Sequence, residues 1–189
     1  MAEYLCVPEQ NVVSAGSASL DAAATIEFLA IGAHGVKRGS VSPEDRVLVV
    51  GSGPIGMSAI IFAKTRGADV TVMDIREDRL GFALDRLGAD AMIRADALAE
   101  AEASRLTGGD FFDVVIDATG NAAAMQRGFG FLAHAGRYVL VSVVRTDITF
   151  SEGEFHKREA TLFGSRNAQA DDFAEVVRQR RPAACPSMR

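Results

Sequence analysis

Apolar residues along this chain gather in short continuous runs, separated by longer stretches in which they recur every three or four positions. The first run, Arg46–Val50 (RVLVV), has no polar alternation, which is the pattern of a strand buried on both faces of a parallel sheet. A glycine-rich segment, 51–56, and an apolar helical stretch through Arg66 follow it. The pattern then repeats. A strand over 70–73 (VTVM) leads to a helix over Glu77–Leu87 with Leu80, Ala83, Leu84 and Leu87 on one face and Gly88 as its C-cap. A short strand over 91–93 precedes a helix from about Asp96 to Leu106 and a break at Thr107, Gly108 and Gly109. Next come a strand over 114–116 ending in Asp117, a helix over 121–132, a strand over 137–141 and a last strand over 160–163. Strands alternating with helices imply right-handed crossovers and a parallel sheet. The expected fold is therefore α/β, a doubly wound parallel six-stranded Rossmann sheet in the order 3-2-1-4-5-6.

Two flanks stand outside that alternation. Residues 1–13 (MAEYLCVPEQNVV) read as one strand ending in a turn at Pro8, with Cys6 an ordinary strand residue, and residues 19–39 read as two short helices joined near Glu27. At the other end, 178–189 (RQRRPAACPSMR) turns abruptly to Arg and Pro without apolar periodicity, the composition of a disordered tail. The chain divides accordingly into 1–40, 41–168 and 169–189.

Composition narrows the function. With 189 residues, 48% hydrophobic and 24% charged, the chain has enough apolar side chain for one sizeable core. A net charge of −5 leaves no broad basic surface to neutralise phosphates, which argues against a nucleic-acid partner. No apolar stretch approaches the roughly 18 residues of a membrane span, and no basic, signal-like segment opens the chain, so a cytoplasmic setting without a membrane is expected. Cys6 and Cys185 lie at opposite ends and form no metal-ligand spacing.

The chemistry concentrates at strand ends. Gly51-Ser52-Gly53-Pro54-Ile55-Gly56 is a G-x-G-x-x-G directly after a strand and opening a helix, the context in which that motif binds a dinucleotide. Gly51 permits the tight turn, Gly53 lets backbone approach a pyrophosphate, and Gly56 lets helix and strand pack closely. The N-terminus of the helix, beginning at Pro54 and Ile55, offers N–H groups to the phosphates. Asp74, eighteen residues past Gly56, can accept ribose hydroxyls and repel a 2′-phosphate, so NAD is favoured over NADP. Arg79 is expected to stack on the adenine, and Arg76 or Arg79 is the group that could instead pair with a 2′-phosphate. Ala118, Thr119 and Gly120, small residues at the end of the fourth strand, are candidates for the nicotinamide half. Asp117 reads as a cap for the helix that starts at Asn121. His34, His134 and His156 are scattered and read as structural or surface residues.

Taken together, the order of motifs resembles the medium-chain dehydrogenase/reductase family, the zinc-type alcohol and polyol dehydrogenases, from Ala2 to about Phe173. AEYLCVPEQNVV resembles the last strand of that family's GroES-like catalytic domain, and TIEFLAIGAHGVKRG its interdomain helices. RVLVVGSGPIGMSAIIFAKTRGADVTVMDIREDRL resembles the first half of its cofactor domain. HKREATLFGSRNA, 156–168, is most similar to bacterial sugar-acid and polyol oxidoreductases such as L-galactonate and L-idonate 5-dehydrogenases. The resemblance implies that 1–40 is a remnant of the catalytic domain and that 41–168 binds the dinucleotide. It further implies that the intact relative passes hydride from a secondary alcohol of a polyol or sugar acid to NAD with the help of zinc. It also implies pairing of the last strand across a two-fold axis in a homodimer. Glu27 matches the glutamate beside the catalytic zinc of polyol-type members, although Phe28 follows it where the family has Pro.

The family's zinc-binding Cys, its Gly-His-Glu motif and its structural-zinc cysteines have no counterpart in this sequence. That points to a truncated or frame-shifted product that does not hold zinc tightly and is inactive alone. The alternatives are a non-catalytic dinucleotide-binding module and an S-adenosylmethionine-binding methyltransferase domain. The last of these would make the final strand antiparallel.

Overall fold

The computed structural model describes residues 3–179. Six strands form one parallel sheet: β1 (Arg46–Val50), β2 (Asp69–Asp74), β3 (Ala91–Arg94), β4 (Phe112–Asp117), β5 (Leu132–Leu140) and β6 (Thr161–Gly164). Their order is β3-β2-β1-β4-β5-β6, and every neighbouring pair is parallel. This is the doubly wound Rossmann architecture expected from the sequence. β6 runs parallel to β5, with Tyr138 opposite Leu162, which is not the hairpin a methyltransferase domain would place there.

The sheet is buried on both faces because β1 sends alternate residues to two separate cores. Val47 and Val49 join Val70, Val72, Val114 and Ile116 under α2 (Ile26–Arg38), α3 (Pro54–Thr65) and α4 (Glu77–Leu87). Leu48 and Val50 join Met73, Val115 and Tyr138 under α5 (Ala99–Thr107) on the other face. A continuous apolar run is what two covered faces require. The helix α2 lies close on α3. A Cβ on Gly32 would come within 2.2 Å of Ser58 Oγ, a hydroxyl that donates to the Leu29 carbonyl. Among the described residues, no helix is long and apolar enough to cross a membrane.

Several local expectations are corrected. The strand expected over 1–13 does not form in the described part. Residues 9–11 make a single turn of 3-10 helix after Pro8, and Tyr4, Leu5, Cys6 and Val12 are exposed. An apolar run makes a strand only when a neighbour takes up its N–H and C=O groups, and none of the six strands of the described residues pairs with this segment. Residues 19–39 do form two helices joined near Glu27, but the second is not short. They form a five-residue α1 (Leu20–Ala24) and a thirteen-residue α2, parted at Thr25, whose hydroxyl donates to the Ala22 carbonyl.

The helix expected from Asp96 starts at Ala99, because Asp96 Oδ1 accepts the Leu98 N–H and holds a turn in place of helix. The helix expected over 121–132 is α6 (Ala122–Gly128). The chain then tightens into a 3-10 turn at Phe129–Phe131 and enters β5, five residues before the expected strand start at Arg137. A short α7 (Glu152–Lys157) and α8 (Ala170–Gln179) complete the elements of the described residues. Apart from Arg178 and Gln179, which end α8, the tail expected to be disordered lies outside the described residues.

Candidate functional site

The carboxyl ends of β1, β2 and β4 meet at one crest, where open α/β sheets bind ligands. The chain leaves β1 through Gly51, whose N–H donates to the Met73 carbonyl at 2.7 Å, while the Ala118 N–H donates to the Val50 carbonyl at 2.8 Å. Gly51 has φ +87°, a left-handed conformation that a side chain resists. A Cβ on Gly56 would stand 1.8 Å from the Gly51 carbonyl oxygen, so turn and helix touch backbone to backbone.

Above this turn opens a cleft of about 640 Å³, lined among others by Gly51, Gly53, Asp74, Arg79, Ala118 and Thr119. These are six of the residues singled out from the sequence. Pro54, Ile55 and Gly56 form the first turn of α3 behind the lining, and Gly120 continues from Thr119 with φ +63°. Sequence reasoning passed over Asp96, on the β3–α5 connection, Glu100, in the first turn of α5, Asn121, the N-cap of α6, and Arg127, on α6, as residues of the site. The available signal was their place just after the carboxyl ends of β3 and β4.

The cleft suits a dinucleotide. Open space lies where a Cβ on Gly53 would project, so backbone is bare towards the cavity. No side chain caps the twelve-residue α3, and no acidic residue sits in its first turn. Its N-terminal partial charge therefore remains available to an anion. The Asp74 carboxylate is 5% exposed. Its Oδ2 accepts the Ser52 N–H (2.7 Å) and the Ser52 hydroxyl (3.1 Å), and its Oδ1 accepts the Arg76 N–H (2.9 Å). Arg79 Nη1 stands 3.7 Å from Oδ2. The Arg76 side chain turns away to Asp78, with Nε 3.0 Å from Oδ1. That contact raises the guanidinium and holds the Asp78 carboxyl below the usual carboxylate range.

Asp117, at the end of β4, does not cap α6 as expected. Asn121 does that itself, its Oδ1 accepting the Ala124 N–H at 3.0 Å. Asp117 is fully buried, and its Oδ1 accepts the Thr119 N–H (2.9 Å) and hydroxyl (2.8 Å). Thr119 Oγ1 in turn accepts the Asn121 N–H at 3.1 Å. Asp117 Oδ2 has no hydrogen-bond partner among the described residues. Burial pushes the Asp117 carboxyl above its ordinary range against the pull of the Thr119 donors and of the nearby Tyr138 hydroxyl. The nearby Tyr138 hydroxyl donates to the Met125 carbonyl at 2.9 Å, and burial, then the Asp117 charge, push it up as well.

The histidines lie away from the crest. His134 and His156 are exposed. His34 is buried on α2 with Nδ1 2.8 Å from Asp172 Oδ2. Asp172 also accepts from Lys37 Nζ and the Gln169 N–H. Burial works to raise the Asp172 carboxyl, but these donors together hold it below the usual range. The cluster ties α8 to α2 across the sequence, and nothing in the spacing announced it.

Glu27 sits exposed near the start of α2, seven residues or about 10 Å of helix from His34. Among the described residues, no group of three His, Cys, Asp or Glu converges.

Comparison with known proteins agrees with this architecture. Residues 54–180 match the zinc-binding dehydrogenase family. The chain is similar to L-galactonate-5-dehydrogenase of Escherichia coli (strain K12), 42% identical over 176 residues that cover 93% of this chain and 52% of that one. Its fold is similar to the crystal structure of an NAD-dependent alcohol dehydrogenase, with a TM-score of 0.82 and 29% identity, covering 94% of this chain and 53% of that one. It is also similar to an alcohol dehydrogenase from Escherichia coli CFT073 complexed with the cofactor NADH, with a TM-score of 0.78 and 25% identity, covering 86% and 48%. The chain spans about half the length of the curated relatives it matches. By its Rossmann sheet, its glycine-rich crest and the family match over 54–180, the chain belongs to the zinc-binding dehydrogenase family.

Proposed function

We propose that this chain is the NAD-binding portion of a zinc-type dehydrogenase that takes hydride from a secondary alcohol of a polyol or sugar acid. The observation that carries the reading is the crest itself: a bare Gly53, an uncapped α3 and a buried, anchored Asp74 facing one cleft. Bound NAD supplies the hydride acceptor. The first turn of α3 holds the pyrophosphate, and Asp74 accepts from the adenosine ribose. Ala118, Thr119 and Gly120 pass under the nicotinamide half, and Arg79 lies along the adenine.

NAD is preferred to NADP because a 2′-phosphate would meet the Asp74 carboxylate. Both nearby arginines already face carboxylates, Arg76 with Asp78 and Arg79 with Asp74. The similarity to L-galactonate-5-dehydrogenase supports a sugar-acid substrate. Residues 1–40 are the remnant of the catalytic domain with its interdomain helices, and the exposed Tyr4 and Leu5 pack against the rest of that domain in an intact relative. The edge strand β6 pairs with its copy in a homodimer. The setting is cytoplasmic, and neither nucleic acid nor membrane is a partner.

A second reading applies to these residues taken alone. Among the described residues no set of metal ligands converges, which favours a dinucleotide-binding module without turnover. Calorimetry with NAD, NADP and S-adenosylmethionine tests the first reading. NAD should bind most tightly, and equal or tighter binding of S-adenosylmethionine would overturn it. NADH absorbance with galactonate, idonate and sorbitol, with and without zinc, separates enzyme from module.

A further inference from the structure

We propose that Ser52 is a positioning residue that sets the nucleotide selectivity of the cleft by locking the Asp74 carboxylate. The inference rests on the dinucleotide reading above and adds to it a residue that neither the motif nor the family match singles out.

Ser52 occupies the first variable position of the glycine-rich turn. Its neighbours Gly51 and Gly53 line the cleft, but Ser52 itself is wholly buried. Its side chain points back beneath the crest to the end of β2, where N–H and hydroxyl both donate to one oxygen, Asp74 Oδ2. The Arg76 N–H holds Oδ1 from the other side. An aspartate side chain has two torsions, and donors on both oxygens fix the plane of its carboxylate. Two of the three donors come from Ser52, so the turn after β1 determines how the acid at the end of β2 is presented.

Oδ2 is taken up by Ser52, whereas Oδ1 accepts a single N–H and keeps a lone pair for a ribose hydroxyl. The same fixation prevents Asp74 from turning aside to admit a 2′-phosphate. Without the serine hydroxyl one backbone donor remains on each oxygen, the Ser52 N–H on Oδ2 and the Arg76 N–H on Oδ1, so the carboxylate is held less tightly in its plane. Ribose binding then loosens while the barrier to a 2′-phosphate falls.

The test is a double-mutant cycle on the full chain, with Kd values for NAD and NADP measured by calorimetry. Ser52→Ala should weaken NAD by about three- to tenfold, without weakening NADP, so that the ratio of the two Kd values falls by about tenfold or less. Asp74→Ala should collapse the ratio further. In the Asp74→Ala background, Ser52→Ala should change it by less than about twofold, because the serine acts through the aspartate. Equal weakening of both nucleotides by Ser52→Ala, or the same shift in ratio with Asp74 absent, would overturn the proposal. Should Ser52→Ala fail to fold by circular dichroism, Ser52→Cys, which fills nearly the same space with a weak donor, gives the same discrimination. Failure of the unsubstituted chain to bind either nucleotide would overturn the dinucleotide reading and this proposal with it, and shows before any variant is made.

Discussion

The ends of β2 and β4 flank the same glycine-rich turn, and each carries a buried aspartate. At β2 the carboxylate has donors on both oxygens and borders the cleft. At β4 one oxygen of Asp117 serves the Thr119 turn, and the other is buried without a partner among the described residues. Donors on both oxygens make a fixed charge that can be offered to a ligand. Burial with one oxygen unserved makes an acid whose charge is costly and whose use is internal, holding the 117–121 turn that brings Thr119 and Asn121 to the cavity wall. Sequence position alone would have treated the two alike.

The difference can be tested by removing each part. Asp74→Ala should cost roughly 1.5–3 kcal/mol of NAD affinity, the worth of hydrogen bonds to a charged group, seen as a ten- to hundredfold rise in Kd by calorimetry. Its effect on NADP should be smaller or opposite. On the β4 side the effects fall on stability. Thr119→Val leaves Asp117 one donor and strips the Asn121 N–H of its acceptor, an expected loss of about 1–3 kcal/mol in urea unfolding. Asn121→Ala removes the side-chain cap of α6 and should cost about 1 kcal/mol.

Asp117→Asn should have the smallest effect, under about 1 kcal/mol, because the amide keeps an oxygen for the Thr119 donors and carries no charge to be desolvated. Its pH dependence carries the information. The folded carboxyl is raised above its unfolded value of about 3.8. The unfolded chain therefore gives up its proton first, and the unsubstituted protein loses stability as pH rises from there through the folded value. The asparagine variant has no such slope. The stability difference should shift in its favour above about pH 4 and level off once the folded group has ionised. A difference independent of pH would mean that the two aspartates are alike after all.

What could be read from the sequence follows from which interactions are local. The strands β1 to β5 were legible because buried parallel strands are apolar at consecutive positions, and β1 was placed to the residue. The glycine-rich turn was legible because its chemistry lies within six residues of chain. Helix starts were missed where a side chain offers the backbone another bond, as Asp96 does to the Leu98 N–H. The first strand was misread because Tyr4, Leu5, Cys6 and Val7 form a continuous apolar run like that of β1 but pair with no strand among the described residues. Ser52 sits at a variable motif position, and its partner is set by the fold. The His34 and Asp172 pair is separated by 138 residues and shows only when α8 docks on α2.

Amide hydrogen exchange of the chain with and without saturating NADH tests the central claim most directly, because it locates the ligand without relying on turnover. Slowed exchange is predicted at 51–57, 74–79 and 118–121, with segment 3–19 unchanged. Saturation without slowing at those three segments, or slowing confined to the opposite end of the sheet around 107–113, would contradict it.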